Sequence, residues 1–130
     1  MEIVVLVGIS TLIFISAAVQ HFSTVLSRGV KFVMTDRSVP MPESGFSGRA
    51  RRTLQNNMES ALMMLPLVTV LLIMNVGTGL TNIVGVVYLV ARIGFSTSYW
   101  LNLSLLRSIC WAAGMASIMV TFTAILPHLF

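Results

Sequence analysis

Four long apolar runs, separated by short polar stretches, set the pattern of this chain. They cover residues 3–24, 53–74, 80–100 and 105–129. A bilayer core about 30 Å thick is crossed by about 20 helical residues, because a helix rises about 1.5 Å per residue. Each run is long enough. The pattern therefore predicts an all-α fold, a transmembrane four-helix bundle that forms a single domain over residues 1–130.

Helix-breaking residues mark the predicted connections. Residues 27–48 are predicted to be one loop, because glycine and proline interrupt any helix there: Gly29, Pro40, Pro42, Gly45 and Gly48. A second such cluster, Asn75, Gly77 and Gly79, predicts a short turn between the second and third spans. The spans should therefore run antiparallel to their neighbours in sequence.

Charge supports the membrane interpretation and orients the chain. Hydrophobic residues make up 56% of the 130-residue chain and charged residues only 9%, whereas soluble domains carry about 25% charged residues. Six of the eight basic residues lie within residues 28–52. This placement is typical of a cytoplasmic loop and not of a nucleic-acid-binding face. We predict an integral, multi-pass protein in contact with membrane lipid, with segment 28–52 cytoplasmic and without a nucleic-acid partner.

No metal site or intrachain disulfide is expected. The chain has one cysteine, Cys110, and two histidines, His21 and His128, which have no ligand-like neighbours in sequence.

Two polar stripes interrupt the apolar spans. Residues three or four apart share one face of a helix, and the second and third spans each carry four such residues: Arg49, Arg52, Asn56 and Glu59, then Tyr88, Arg92, Phe95 and Tyr99. A charged side chain at the bilayer centre costs about 2.5–3.5 kcal/mol on insertion scales, so it usually faces a partner or a wet cavity. We expect the two stripes to meet.

Depth suggests how they meet. Glu59 lies seven residues beyond Arg52, roughly 10 Å along the helix, and Arg92 lies seven residues before Tyr99. A Glu59–Arg92 pair is therefore predicted, within one chain or across an interface. Such a pair could simply hold the bundle together.

Arginines outnumber acidic residues at the start of the second span, which indicates an anionic ligand. Arg49, Arg51 and Arg52 lie close together with too few acids to neutralise them, and guanidinium binds carboxylate or phosphate in a bidentate manner. We favour a bound anionic ligand; contact with lipid headgroups is the alternative.

The motifs resemble those of a known family. The stretch GRARRTLQNNME at 48–59 resembles the signature of the MAPEG family, the membrane-associated proteins in eicosanoid and glutathione metabolism, in which Arg is followed by Asn four positions on and by Glu three further. Other motifs resemble the bacterial branch of that family: Asp36-Arg37, the prolines at 40 and 42, YLVAR at 88–92, Tyr99 and Leu106-Arg107. The resemblance implies a homotrimer in a bacterial inner membrane, with glutathione held between subunits at the cytoplasmic end.

The resemblance also implies roles for individual residues. Arg52, Asn56 and Glu59 would hold glutathione, with Arg49 at the same entrance, and Arg92 and Tyr99 would line the site. Arg107 would be the catalytic arginine that stabilises the glutathione thiolate. The implied activity is a glutathione-dependent transferase or peroxidase acting on lipophilic electrophiles that arrive from the bilayer.

A second function of the same fold stays open. Ser60 and Phe95 stand where many glutathione-using members have tyrosine, so each position loses a tyrosine hydroxyl that could contact glutathione. They favour a non-catalytic lipid-binding or scaffold protein. A small four-helix multidrug transporter is a third possibility, but that class carries its membrane glutamate on the first span, where this chain has only Glu2 at the start.

Overall fold

A computed structural model describes residues 1–35 and 44–129 of the chain, and within these ranges the secondary structure is entirely helical. The helices are α1 (Glu2–Arg28), α2 (Val30–Val33), α3 (Gly45–Met74), α4 (Gly79–Trp100) and α5 (Ser104–Ile125), followed by a short 3₁₀ helix (Leu126–His128). Four of them, α1, α3, α4 and α5 with its 3₁₀ extension, are long and apolar enough to cross a membrane. The predicted all-α fold with four spans is confirmed.

Local side-chain chemistry ends and restarts the helices. Asn75 ends α3 in the left-handed conformation (φ 52°, ψ 39°), which asparagine adopts more readily than most residues. Thr78 and Thr81 then cap α4 reciprocally, because each hydroxyl accepts a hydrogen bond from the other residue's backbone N–H. Asn102, with φ 62°, makes the equally short turn from α4 to α5. Turns this short place successive spans antiparallel.

The prediction of one loop over residues 27–48 is wrong, because helices cover much of that segment. The first helix continues to Arg28, α2 covers 30–33, and α3 begins at Gly45, eight residues before the predicted start at 53. A glycine inside a helix costs only about 1 kcal/mol relative to alanine, and burial of Gly48, Ala50 and Thr53 offsets that cost. Residues 49–52 therefore lie on α3. The prolines at 40 and 42 and the Asp36-Arg37 pair lie outside the described residues.

An apolar core joins the helices, with α1 packed mainly on α3 and α4 on α5. The core consists of alanine and branched aliphatic side chains with one methionine and one tyrosine: Val5, Ile9, Ala61, Met64, Val68, Tyr88 and Ile118. The outward-facing side chains are also apolar; Phe14, Leu62 and Ile73 are each about three-quarters exposed (74%, 74% and 77%). An apolar exterior of this extent is typical of a surface that faces lipid or another subunit.

Candidate functional site

The arginines of α3 and α5 gather at one end of the bundle, where α3 begins, α4 ends and α5 begins. We call it the basic end and define it by Arg49, Arg51, Arg52 and Arg107. The opposite end carries the α3–α4 turn and the amino terminus, and we call it the amino-terminal end. The antiparallel order of α3 and α4 brings the polar stripes of both helices to the basic end, as the sequence predicts.

Arg92 is the centre of this polar region. Its side chain is 1% exposed, and it is the one charged side chain among the fully buried residues of the described chain. Its Nη2 donates to the carboxamide oxygens of two successive asparagines on α3, to Asn56 Oδ1 at 2.8 Å and to Asn57 Oδ1. The guanidinium also lies over the Phe95 ring, with Cζ 4.5 Å from the ring centroid. Arg92 thus ties α4 to α3.

Asn57 extends the network to α1. Its Nδ2 donates to Ser16 Oγ on α1 at 2.8 Å and to Ser96 Oγ on α4 at 2.9 Å. Asn57 is buried, and its sequence position does not mark it as a site residue, because it lies outside the three–four spacing of the stripe. The signal that could have found it is an asparagine in an apolar span, since such residues commonly join membrane helices by hydrogen bonds.

Tyr99 lies between two arginines from different helices. Arg52 Nε on α3 donates to the Tyr99 hydroxyl at 3.1 Å. Arg107 on α5 lies over the same ring, with Cζ 4.7 Å from its centroid, a favourable cation–π distance. The Phe95 ring meets the Tyr99 ring edge-on at 5.4 Å between centroids. Tyr99 therefore connects α3, α4 and α5.

An open cavity of about 280 Å³ lies beside this cluster. Its walls combine polar and aromatic side chains from α3, α4 and α5: Asn56, Phe95, Tyr99, Arg107, Ser108 and Trp111. Small-molecule sites are typically clefts of about 300–1,000 Å³ with a few convergent polar groups in an apolar wall. The cavity is near the lower limit of that range and contains three of the residues predicted from the sequence, Asn56, Tyr99 and Arg107.

A second open cavity of about 210 Å³ lies on the outer side of α3, lined by Gly48, Arg51, Arg52 and Gln55. Glu59 lies further along α3, is exposed, and accepts a hydrogen bond from Gln55 Nε2 at 3.0 Å. The Glu59–Arg92 pair does not form within the described chain, because Arg92 points inward to the two asparagines while Glu59 points outward. A contact across an interface remains a prediction.

The other selected residues lie elsewhere or have structural partners. Arg49 is not among the residues that line either cavity; its Cζ lies 5.9 Å from the Phe46 ring centroid, and its Nε is buried without a hydrogen-bond partner among the described residues. Ser60 is buried in the core, where its hydroxyl hydrogen-bonds to that of Tyr88 at 2.9 Å. The expectation that Ser60 replaces a tyrosine in a ligand site therefore changes, because within one protomer its side chain belongs to the core.

The chemistry open to this site is anion binding and stabilisation of a developing negative charge. Arg52 and Arg107 flank Tyr99, and the Asn56 carboxamide adds a neutral hydrogen-bonding group. The described residues contain no cluster of three or more histidine, cysteine, aspartate or glutamate side chains that could hold a metal ion.

These features define a multi-pass membrane protein with a basic, aromatic-walled cavity at one end of a four-helix bundle. The chain belongs to the MAPEG family, because the model of that family matches residues 3–126 of its 130 residues. Membership and the four apolar helices together make it an integral membrane protein. Searches of curated proteins and of solved structures returned no match.

Proposed function

We propose that the protein is a glutathione-dependent transferase or peroxidase acting on lipophilic electrophiles. The observation that carries the proposal is the cavity in which Asn56, Tyr99 and Arg107 come together from three helices. Glutathione is an anion at neutral pH, and the arginines flanking Tyr99 supply the complementary charge. The aromatic rings of Phe95 and Trp111 form an apolar wall for an acceptor entering from the bilayer.

Arg107 is the residue proposed to activate the thiol. A free thiol with a pKa of about 8.5 is mostly protonated at neutral pH, and a neighbouring guanidinium favours the thiolate, which is the nucleophile. The thiol proton leaves to solvent through the open side of the cavity. The thiolate sulfur then forms a bond to the electrophilic carbon, and the leaving group departs with the bonding electron pair.

A homotrimer in a bacterial inner membrane completes the proposal. The cavity is open on one side, and Gln55 and Glu59 lie on an exposed face of α3. A neighbouring subunit packed on that face would bring Glu59, together with Arg49 and Arg52, to a shared site. The excess of arginine and lysine at the basic end favours placing that end in the cytoplasm.

The test is a calorimetric titration of the purified protein with glutathione, followed by the Arg107→Gln variant. We expect binding at or below millimolar concentration by the wild type. The variant should retain binding within about threefold and lose the ultraviolet absorbance of the bound thiolate. Arg51→Gln is the matched control, because Arg51 lines the outer cavity and not the one beside Tyr99, and its loss should leave the thiolate signal unchanged.

Two outcomes would contradict the proposal. Failure of the wild type to bind glutathione would remove the function altogether. Unchanged thiolate formation or turnover in Arg107→Gln would leave binding in place but reject the role of Arg107.

Non-catalytic lipid binding is the second candidate. Phe95 favours it, because this ring occupies the cavity wall without a hydroxyl and packs between Arg92 and Tyr99. A lipid copurifying in the cavity, with no conjugation of a reactive aryl halide by glutathione, would support this function over the first.

A further inference from the structure

The hydrogen bonds that join Ser16, Asn57, Ser96 and Arg92 next to the cavity allow only one arrangement of hydrogen atoms. The hydroxyl of Ser16 donates to the carbonyl of Leu12 at 2.8 Å, and that of Ser96 donates to the carbonyl of Arg92 at 2.9 Å. With its single hydrogen used, each hydroxyl can only accept from Asn57. The NH₂ of Asn57 must therefore face the two serines.

Arg92, which binds the oxygen of Asn57, also fixes the orientation of Asn56. The carboxamide oxygen of Asn57 faces Arg92, which has donors and no acceptor. Arg92 Nη2 donates to this oxygen and also to Asn56 Oδ1. The reverse orientation of Asn56 would place its NH₂ against the guanidinium, donor against donor. The oxygen of Asn56 therefore points inward and its NH₂ is left for the cavity that Asn56 lines.

The charge at the centre of this network is not balanced nearby. No carboxylate pairs with Arg92 within residues 1–35 and 44–129, and its Nε has no hydrogen-bond partner there. A buried guanidinium that donates to the Asn56 oxygen polarises the carboxamide, which makes the outward NH₂ a stronger donor. Its uncompensated charge also favours an anion in the neighbouring cavity, because screening is weak in a low-dielectric interior.

We propose that Arg92 and Asn57 are positioning residues that hold Asn56 with its NH₂ directed into the cavity, so that the cavity accepts an anionic hydrogen-bond acceptor at that point. The inference rests on the proposed function for the identity of the ligand, since a carboxylate of glutathione is the acceptor expected there. The serines of α1 and α4 set the orientation of Asn57, whose oxygen holds Arg92, and Arg92 in turn holds Asn56.

The experiment compares two aspartate variants with two forms of the ligand. Asn56→Asp retains the acceptor for Arg92 but removes the outward donor. Asn57→Asp leaves Asn56 intact but neutralises Arg92 in the core. Calorimetry measures the affinity of each for glutathione and for glutathione diethyl ester, in which both carboxylates are neutral. Asn75→Asp, at the amino-terminal end, is the charge-matched control.

We expect Asn56→Asp to weaken glutathione binding more than about tenfold and Asn57→Asp about three- to tenfold, because a hydrogen bond to a charged group is about twice as strong as a neutral one. The ratio of glutathione affinity to ester affinity should fall about fivefold or more in Asn56→Asp and stay constant in Asn75→Asp. A purely structural role would lower both affinities together and leave the ratio unchanged, which would overturn the inference.

The design separates this inference from the proposed function. If wild-type protein binds no glutathione, the same variants are titrated with decyl phosphate and with the neutral decanol. If Asn56→Asp loses the preference for phosphate, the inferred role of the network stands and only glutathione is rejected as the ligand. If the wild type binds neither anion, or if the variants keep the wild-type preference, the inference is wrong.

Discussion

The two ends of the bundle are held together by different kinds of contact. Toward the amino-terminal end, Val5, Met64, Val68 and Leu71 pack around a void of only about 10 Å³, which is room for at most one water molecule. A cavity of about 150 Å³ adjoins it and is lined in part by Glu2, Asn75 and Asn82. At the basic end, Arg92 and the asparagines it binds lie beside a cavity of about 280 Å³. Apolar packing fills most of the interior toward the amino-terminal end, whereas directed hydrogen bonds border the larger cavity at the basic end.

This contrast shows how a small membrane protein can use different regions for stability and for function. Apolar contacts have no direction, so similar volumes can replace one another at modest cost. Hydrogen bonds fix donors and acceptors, so a change of one group leaves another unpaired at a cost of about 1–3 kcal/mol. The basic end therefore specifies an orientation, which is what a ligand site requires, while the amino-terminal end supplies tolerant packing.

The largest effect is expected from replacing the central charge. Arg92→Met removes the donor to one buried and one half-buried carboxamide oxygen, and we expect a loss of about 2–5 kcal/mol in the free energy of unfolding, since each oxygen left unpaired costs about 1–3 kcal/mol. Met64→Leu is the matched swap at the amino-terminal end and should cost less than about 1.5 kcal/mol. Reversible unfolding in mixed detergent micelles measures both. Equal costs would mean that the two ends do not differ as described.

A smaller effect is expected where helices approach closely at the apolar end. A Cβ on Gly85 would lie 2.8 Å from Cγ2 of Val5, so Gly85→Ala should overpack the α1–α4 contact and cost about 1–3 kcal/mol. Gly79→Ala is the control, because nothing lies within 4 Å of its added Cβ, and it should be neutral or slightly stabilising. The same unfolding assay measures the free energy of unfolding of both variants. No difference between the two variants would argue against tight packing there.

The smallest effect is expected for a single bond of the polar network. A double-mutant cycle of Asn57→Ala and Ser96→Ala should give a coupling of about 0.6 kcal/mol, and at most about 1.7 kcal/mol, the range for interhelical hydrogen bonds in a membrane. The unfolding free energies of the two single variants and of the double variant supply the coupling. A value of zero would show that the 2.9 Å contact between Asn57 and Ser96 contributes no stability.

Sequence reasoning predicted the spans well because length and apolarity determine which segments cross a bilayer. It placed the start of the second span too late, since Gly45 and Gly48 were read as helix breakers although burial of Ala50 and Thr53 sustains the helix. Spacing and charge also indicated four site residues, Arg52, Asn56, Tyr99 and Arg107. The structure places these residues close together.

The partner of Arg92 was not predictable in the same way. Depth along the helix favours Glu59, but the pairing depends on which way Glu59 points around α3 and Arg92 around α4, and these directions follow from contacts between the helices. Asn57 illustrates the limit: next to Asn56 in sequence, it acquires its role only because Ser16 and Ser96 approach it from other helices.

The most direct test of the central claim is a cryo-electron microscopy map of the purified protein with glutathione added. The account predicts tripeptide density in the cavity beside Asn56, Tyr99 and Arg107, with its thiol next to Arg107 and a carboxylate within hydrogen-bond distance of Asn56 Nδ2. Density for a lipid chain in that cavity, or for water alone at saturating glutathione, would contradict it.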